Sequence, residues 1–207
     1  MQKSSYQYKN VSFLGSPDSK NLPYEIGTFD YVVLSAVYEH LLPDERGPLL
    51  HKVWSILNPG GILFLNQTPY RFFPFEGHTT QLFLINYLPK FLARYMACKY
   101  SKKIKKSATW QQLLRQGIRG AAPGEIVRKL KRADPQAKPL LLRPGRLGFR
   151  DRIDVWYSGY AVCIANKYPK MKNLQTGLRR VAKIMYCLSG IVFLPTVSVA
   201  IKKAQRG

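Results

Sequence analysis

A single stretch, residues 27–68, restricts the fold more strongly than any other part of the chain. It holds two apolar runs, Tyr31–Leu34 and Ile62–Leu65, which contain no charged residue. Runs of this kind are typical of strands that are buried on both faces of a parallel sheet. Apolar residues at helical spacing lie between them, and the Asn-Pro-Gly-Gly sequence at residues 58–61 is expected to stop that helix. The stretch therefore predicts a strand–helix–strand crossover of an α/β sheet.

The crossover also predicts where a ligand binds. Open α/β sheets bind their ligands beyond the carboxyl ends of the strands. The residues that come directly after the two predicted strands are therefore the candidates for ligand binding. These are residues 35–40 after the first strand and the residues from Asn66 onwards after the second.

Three motifs in this region resemble the signature of a known enzyme family. They are DSKNLPYEIGTFD at residues 18–30, FDYVVLSAVYEHL at residues 29–41 and LNPGGILFL at residues 57–65. In this order and spacing they resemble class I S-adenosylmethionine-dependent methyltransferases of the type 11/12 kind, over roughly residues 11–90. The resemblance implies an α/β fold with a Rossmann-like sheet, methyl transfer as the reaction and S-adenosylmethionine as the cofactor.

The resemblance implies two groups of cofactor-binding residues. Asp18 and Ser19 match the place where the family hydrogen-bonds the adenine amino group and a ring nitrogen. A simple turn cap remains the alternative for Asp18. Ser35, Ala36 and Val37 match the loop that lines the methionine part of the cofactor, where small side chains allow close approach.

The loop at residues 66–89 resembles a loop found in a subgroup of these enzymes, and it suggests acceptor-side groups. Tyr70 and Arg71 are predicted to bind the acceptor substrate. Glu76 and His78 flank a glycine, which predicts that the backbone brings both side chains to one point. They are therefore candidates for acceptor binding or proton removal, and a loop that is stapled by its own Glu–His contact is the alternative.

His40 is a third candidate catalytic residue. An unperturbed histidine titrates near neutral pH, so His40 is suited to act as a general base that faces the acceptor. The alternative is that the Glu39–His40 pair only fixes its loop to the following helix. No metal is expected, because the sequence holds no Cys-x-x-Cys motif and no cluster of histidines.

The charge of the chain bears on its partners. The formal net charge is +22, and basic runs occur at residues 99–106 and 128–132. A solvated face, an anionic membrane surface or phosphorylated substrate, and nucleic acid are the three interpretations. Nucleic acid is the least favoured, because no glycine- and aromatic-rich RNA-binding motif accompanies the charge. Three widely spaced cysteines fit a reducing cytoplasm.

The chain is predicted to form a single domain over residues 1–207. Residues 11–90 supply the core sheet, residues 91–182 a helical, basic substrate or lid region, and residues 183–203 a final helix and strand. That last segment is predicted to be a buried helix followed by a strand from Thr196, with a membrane-embedded or membrane-surface segment as the alternative. The protein is expected in the cytoplasm, peripheral to a membrane if the alternative holds. The Pro-, Gly- and Arg-rich residues 134–152 are predicted to form a loop.

One expected part of the family pattern is missing. A complete member begins with a strand and a glycine-rich loop, and the chain has neither. We therefore expect a partial sheet without its amino-terminal strands and with an unpaired edge, in a chain that is truncated, degenerate or completed by another chain. The predicted function is methyl transfer to a small-molecule or lipid-like acceptor. The alternative is a non-catalytic binding or membrane-associated protein that uses its basic second half.

Overall fold

A mixed β-sheet with helices packed on it forms the centre of the protein. The computed structural model describes residues 11, 26–142, 166, 169, 172–189 and 192–205. The strands in these residues are β1 (Phe29–Ser35), β2 (Leu57–Pro69), β3 (Phe75–Glu76), β4 (Leu82–Phe83), β5 (Ala137–Leu141) and β6 (Thr196–Gln205). The α-helices are α1 (Arg46–Ser55), α2 (Lys90–Tyr100), α3 (Trp110–Arg115), α4 (Pro123–Ala133) and α5 (Lys172–Ser189).

The predicted crossover is present as β1–α1–β2. The two strands pair in parallel, with Tyr31 opposite Ile62 and Leu34 opposite Leu65. The apolar face of α1 is buried against the sheet, and its largest member, Trp54, is fully buried. Burial of this face, rather than helix propensity, holds a ten-residue helix in place.

The helix ends earlier than the sequence indicates. We predicted a stop at the Asn-Pro-Gly-Gly sequence, but α1 ends at Ser55 and residues 58–61 belong to the start of β2. The glycines serve the strand pairing there, where the register of β1 and β2 shifts. A Cβ atom on Gly61 would lie 2.9 Å from the carbonyl oxygen of Asp30, so a side chain would push the two strands apart.

The sheet order is β1-β2-β6-β5, and β6 runs antiparallel to both of its neighbours. This arrangement confirms the α/β fold class and is consistent with a partial Rossmann-like methyltransferase sheet. The strand predicted from Thr196 is confirmed as β6. The loop predicted for residues 134–152 is wrong for its first part, because Ala137–Leu141 pairs with β6 as strand β5.

The prediction that the first strand is buried on both faces is wrong. Val32 and Leu34 pack against the core, but Tyr31 and Val33 on the other face are 65% and 62% exposed. The helix α1 covers one face of the strand, and within the described residues no helix covers the other. In those residues β1 also lies at the edge of the sheet, paired with β2.

The prediction of a buried helix near the carboxyl end is also wrong. Within the described residues of α5, Ala182 is the buried one, and it packs with Leu194 in a small separate cluster. The apolar residues Leu178, Ile184 and Leu188 are exposed. No helix among the residues that the structure describes is both long and apolar enough to cross a membrane.

A cap segment, residues 70–121, packs beside the carboxyl ends of β1 and β2. Its own small core includes Ile85, Leu113 and Ile118. Helix α3 in this segment begins with a complete capping box, in which Thr109 and Gln112 exchange side chain-to-backbone hydrogen bonds. The carboxyl end of α3 contacts the short 3-10 turn at Tyr38–His40, so the cap segment closes over the residues that follow β1.

Candidate functional site

The chain leaves β1 through a sharp turn at the edge of the sheet where β1 and β2 have their carboxyl ends. Ser35 pairs with Asn66, and the backbone N–H of Ala36 donates to the carbonyl oxygen of Asn66 at 3.0 Å. Ala36 then adopts a left-handed conformation with φ of 53°, which is uncommon for a residue other than glycine. The turn leaves the predicted cofactor loop Ser35–Val37 exposed and leads at once into the Tyr38–His40 turn.

Glu39 is the best-buried acidic residue of the site, with no exposed surface. One carboxylate oxygen, Oε2, accepts a hydrogen bond of 2.9 Å from the hydroxyl of Thr68. The other oxygen, Oε1, is buried and has no hydrogen-bond partner among the described residues. A buried carboxylate oxygen without a partner is costly, so its presence calls for an explanation.

His40 is held in one orientation by Arg115. Its Nδ1 lies 2.7 Å from the carbonyl oxygen of Arg115, and a carbonyl can only accept. In the neutral ring, Nδ1 therefore carries the hydrogen and Nε2 keeps its lone pair. The Arg115 guanidinium donates to the backbone oxygen of His40 and is itself paired with Glu45 through two contacts of 2.6 Å. The imidazole side chain is 44% exposed, and its Nε2 lies 3.7 Å from Oε1 of Glu39.

His78 comes to the same place from the loop after β3. Its ring centroid lies 5.8 Å from that of His40. The close approach depends on Gly117, because a Cβ atom there would lie 2.8 Å from Cδ2 of His78 and 3.3 Å from Cγ of Glu39. Gly117 also has φ of +101°, a conformation that L side chains rarely adopt. One ligand atom from each of Glu39, His40 and His78 lies within 4.8 Å of the other two.

Glu76 has a different environment from the one predicted for it. Its buried carboxylate accepts hydrogen bonds from the backbone N–H groups of His78, Thr79 and Thr80 and from the hydroxyl of Thr80, at 2.6–3.0 Å. Both oxygens are therefore occupied by the turn that follows, and the contact with His78 is to its backbone. The alternative predicted for this loop, a contact between Glu76 and His78 within the loop, is therefore present, but the partner is the backbone of His78 and not its side chain. A role for Glu76 in proton removal stays a prediction.

Tyr70 and Arg71 line a separate pocket of about 500 Å³ between the cap segment, α4 and β6. The Arg71 guanidinium lies 3.9 Å from the carboxylate of Glu125 in the first turn of α4. Burial, followed by the neighbouring charge of Tyr87, raises the pKa of Tyr70, so its hydroxyl is protonated at neutral pH. Acceptor binding by this pair stays a prediction.

The structure brings some of the predicted residues together and leaves others apart. His40 and His78 meet, Ser35, Ala36 and Val37 lie next to them in the chain, and Tyr70 and Arg71 line their own pocket. Asp18 and Ser19 lie outside the described residues.

Sequence analysis missed three contributors to this site. Glu39 was named only as a loop partner of His40, Gly117 was predicted only to end a helix, and Arg115 was not singled out. The Glu–His dipeptide was the one available signal for Glu39. Gly117 has a local signal as the glycine that ends α3, where its N–H donates to Leu114 and the N–H of Ile118 donates to Leu113. No local pattern marks Arg115, and the contacts of both residues with the site depend on the docking of α3 onto the Tyr38–His40 turn.

Comparison with known proteins supports the resemblance. Residues 2–65 match the family model described as a methyltransferase domain. No curated protein sequence matches the chain. The matched residues include β1, α1, most of β2 and both Glu39 and His40, whereas the cap segment lies outside the match. Residues 2–65 are therefore similar to a methyltransferase domain, which supports the resemblance that the motifs indicated.

Proposed function

We propose that the chain binds S-adenosylmethionine at the carboxyl ends of β1 and β2 and transfers its methyl group to a small-molecule or lipid-like acceptor. The observation that carries the proposal is the left-handed turn at Ala36. It lies in the matched methyltransferase stretch and leads directly into the turn that holds Glu39 and His40.

The residues of this turn fit the methionine part of the cofactor. Ser35 and Ala36 have small side chains, and Ser35, Ala36 and Val37 are all exposed at the edge where open α/β sheets bind ligands. The turn at Ala36 directs the chain away from the sheet, so the backbone of these residues is free to approach a ligand closely. In the same proposal Asp18 and Ser19 hold the adenine ring, by resemblance to the family.

The acceptor-side chemistry falls to the residues that follow the turn. When bound, S-adenosylmethionine supplies an electrophilic methyl group and leaves as S-adenosylhomocysteine. His40 suits proton removal from the acceptor, because the Arg115 carbonyl holds its Nδ1–H, which leaves the lone pair on Nε2, and the side chain is partly exposed. Alignment of the two reactants supplies the rest of the rate enhancement. Tyr70 and Arg71 are proposed to orient the acceptor, which requires that the acceptor extends from His40 into the separate pocket that these two residues line.

The proposal predicts how substitutions of Ala36 affect cofactor binding. Ala36→Gly suits a positive φ and is expected to retain S-adenosylmethionine binding. Ala36→Val places a β-branched side chain in the same conformation, so we expect at least a tenfold weaker affinity. Isothermal titration calorimetry measures both, with circular dichroism to confirm folding. A folded wild-type chain that does not bind S-adenosylmethionine would overturn the proposal.

A second candidate function rests on helix α5. The helical spacing places six exposed apolar residues on one side, namely Leu174, Leu178, Val181, Ile184, Met185 and Leu188. Lys172, Arg179, Arg180 and Lys183 lie on the opposite side. This distribution is typical of a helix that lies in the interface of an anionic membrane. A non-catalytic, membrane-associated protein is therefore the alternative.

Vesicle co-sedimentation tests this alternative directly. Vesicles that contain phosphatidylserine are expected to bind the wild-type chain, and Leu178→Asp is expected to reduce the bound fraction because it places a charge in the apolar stripe. The exchange Gln175→Asp changes the charge by the same amount outside that stripe and serves as the control. Equal binding by the two variants would contradict the alternative.

A further inference from the structure

We propose that Glu39, His40 and His78 bind a divalent transition-metal ion, with Zn²⁺ as the best fit. The inference concerns ion binding alone, and an ion bound to Nε2 of His40 would take the place of the general-base role proposed above for that nitrogen. It replaces the expectation of no metal, which rested on the absence of a local motif. The three ligands come from two separate turns, and only the packing of the cap segment brings them together.

The donor set itself selects the ion. Two imidazole nitrogens and one carboxylate oxygen form a mixed nitrogen and oxygen set, which suits Zn²⁺ and similar transition metals. Mg²⁺ and Ca²⁺ prefer sites made of oxygen ligands, so they fit this cluster poorly. Three protein ligands with an exposed side leave a coordination position for water or another oxygen donor, as in catalytic zinc sites.

The hydrogen bond that His40 makes through Nδ1 leaves Nε2 as the nitrogen that can bind an ion. A ligating histidine donates its other ring N–H to an oxygen acceptor, which orients the ring and keeps the ligating nitrogen free. Here Nδ1 of His40 donates to the carbonyl oxygen of Arg115 at 2.7 Å, and Nε2 faces Glu39. The distance from Nε2 to Oε1 of Glu39 is 3.7 Å, which is too long for a hydrogen bond between the two groups.

Glu39 supplies an independent observation that points to a ligand. Its Oε2 is oriented by the hydroxyl of Thr68, while the fully buried Oε1 has no hydrogen-bond partner in the described residues. It is this unpartnered oxygen that faces Nε2 of His40. An ion between them would satisfy Oε1 and offset the cost of burying the carboxylate. The neighbouring guanidinium of Arg115 does not oppose the ion strongly, because it is paired with Glu45.

The spacing of the three groups is close to what such an ion needs. Ligand bonds of about 2.0–2.1 Å in tetrahedral geometry place the ligand atoms roughly 3.4 Å apart. The pair formed by Glu39 and His40 is already at 3.7 Å, and all three atoms lie within 4.8 Å. We expect a rotation of the exposed His78 side chain to complete the set. Gly117 has no Cβ atom, which makes room for the His78 ring beside it.

The first experiment measures ion binding by the chelator-treated full chain. Zn²⁺ is titrated in a calorimeter, and Mg²⁺ is titrated in parallel. We expect one Zn²⁺ per chain and much weaker Mg²⁺ binding. Glu39→Gln, His40→Ala and His78→Ala are each expected to weaken Zn²⁺ binding by at least tenfold. His51→Ala is the matched control, because His51 is an exposed histidine on α1 outside the cluster.

A spectroscopic measurement distinguishes the proposed ligands from the cysteines. Cys98 and Cys187 are free thiols, which also bind transition metals. Co²⁺ bound to two histidines and a carboxylate gives visible bands without the near-ultraviolet charge-transfer band of a cobalt–thiolate bond. A thiolate band would overturn the proposal, and so would Zn²⁺ affinity that is unchanged in His78→Ala. Since the His78 side chain is exposed, we expect this variant to fold.

Discussion

Two turns in the molecule each place a buried glutamate beside a histidine, and they use it in opposite ways. In the 38–40 turn, Glu39 accepts one hydrogen bond and leaves Oε1 without a partner among the described residues. In the 76–80 turn, Glu76 accepts four hydrogen bonds from its own turn. The residue type and the burial are nearly the same. What differs is whether the local backbone supplies donors.

The difference separates a structural carboxylate from one that is available to a ligand. The backbone of the 76–80 turn directs three N–H groups at Glu76, so this side chain is needed to close the turn. The 38–40 turn directs none of its N–H groups at Glu39, whose support comes from Thr68 on a neighbouring strand. Burial and sequence neighbours alone therefore do not identify a functional glutamate.

The largest expected effect separates the two glutamates by their contribution to stability. Glu76→Gln replaces an acceptor oxygen by a donor and leaves buried N–H groups without a partner, so we expect a loss of about 3 kcal/mol. Glu39→Gln keeps an oxygen for Thr68 and removes an unpartnered charge, so the metal-free chain should change by less than about 1 kcal/mol. Urea unfolding measures both. Equal losses would contradict the distinction.

A smaller effect is expected from the hydroxyls that support the two carboxylates. Thr68→Val removes the hydrogen bond that Glu39 accepts from a side chain and should cost about 1–3 kcal/mol, because a buried carboxylate loses its partner. Thr80→Val leaves three donors on Glu76 and should cost about 1 kcal/mol. Chemical denaturation of the two variants compares them. A larger loss for Thr80→Val would show that Glu76, and not Glu39, depends on its hydroxyl partner.

The smallest expected effect concerns Arg115, whose side chain contacts the 38–40 turn and Glu45. Arg115→Lys keeps the charge but loses the two-pronged contact with Glu45, so we expect a loss of about 1 kcal/mol in stability. The Arg115 carbonyl still holds His40, so Zn²⁺ affinity should fall less than threefold. Thermal unfolding and zinc titration check the two parts. A loss of zinc binding as large as that of His78→Ala would mean that the guanidinium, and not the carbonyl, positions His40.

The fold was largely predictable where the pattern was local. The crossover of β1, α1 and β2 and the strand at Thr196 follow from apolar periodicity and turn residues, and the structure has them. Strand β5 was missed because its residues contain no strand pattern, and pairing with β6 alone makes them a strand. The burial of β1 and α5 was misjudged because an apolar run does not show which faces another element covers.

For the candidate site, the amino-acid sequence by itself determined the resemblance to a methyltransferase domain, the edge of the sheet at which the two strands end and the Glu–His dipeptide that follows it. Only the tertiary structure decided that His78 meets His40, that Glu39 keeps an unpartnered oxygen and that Glu76 closes its own turn. The physical reason is the range of the interactions. Periodicity and turn preferences act between residues a few positions apart, whereas α3 and Gly117 bring together side chains from turns that are distant in the chain.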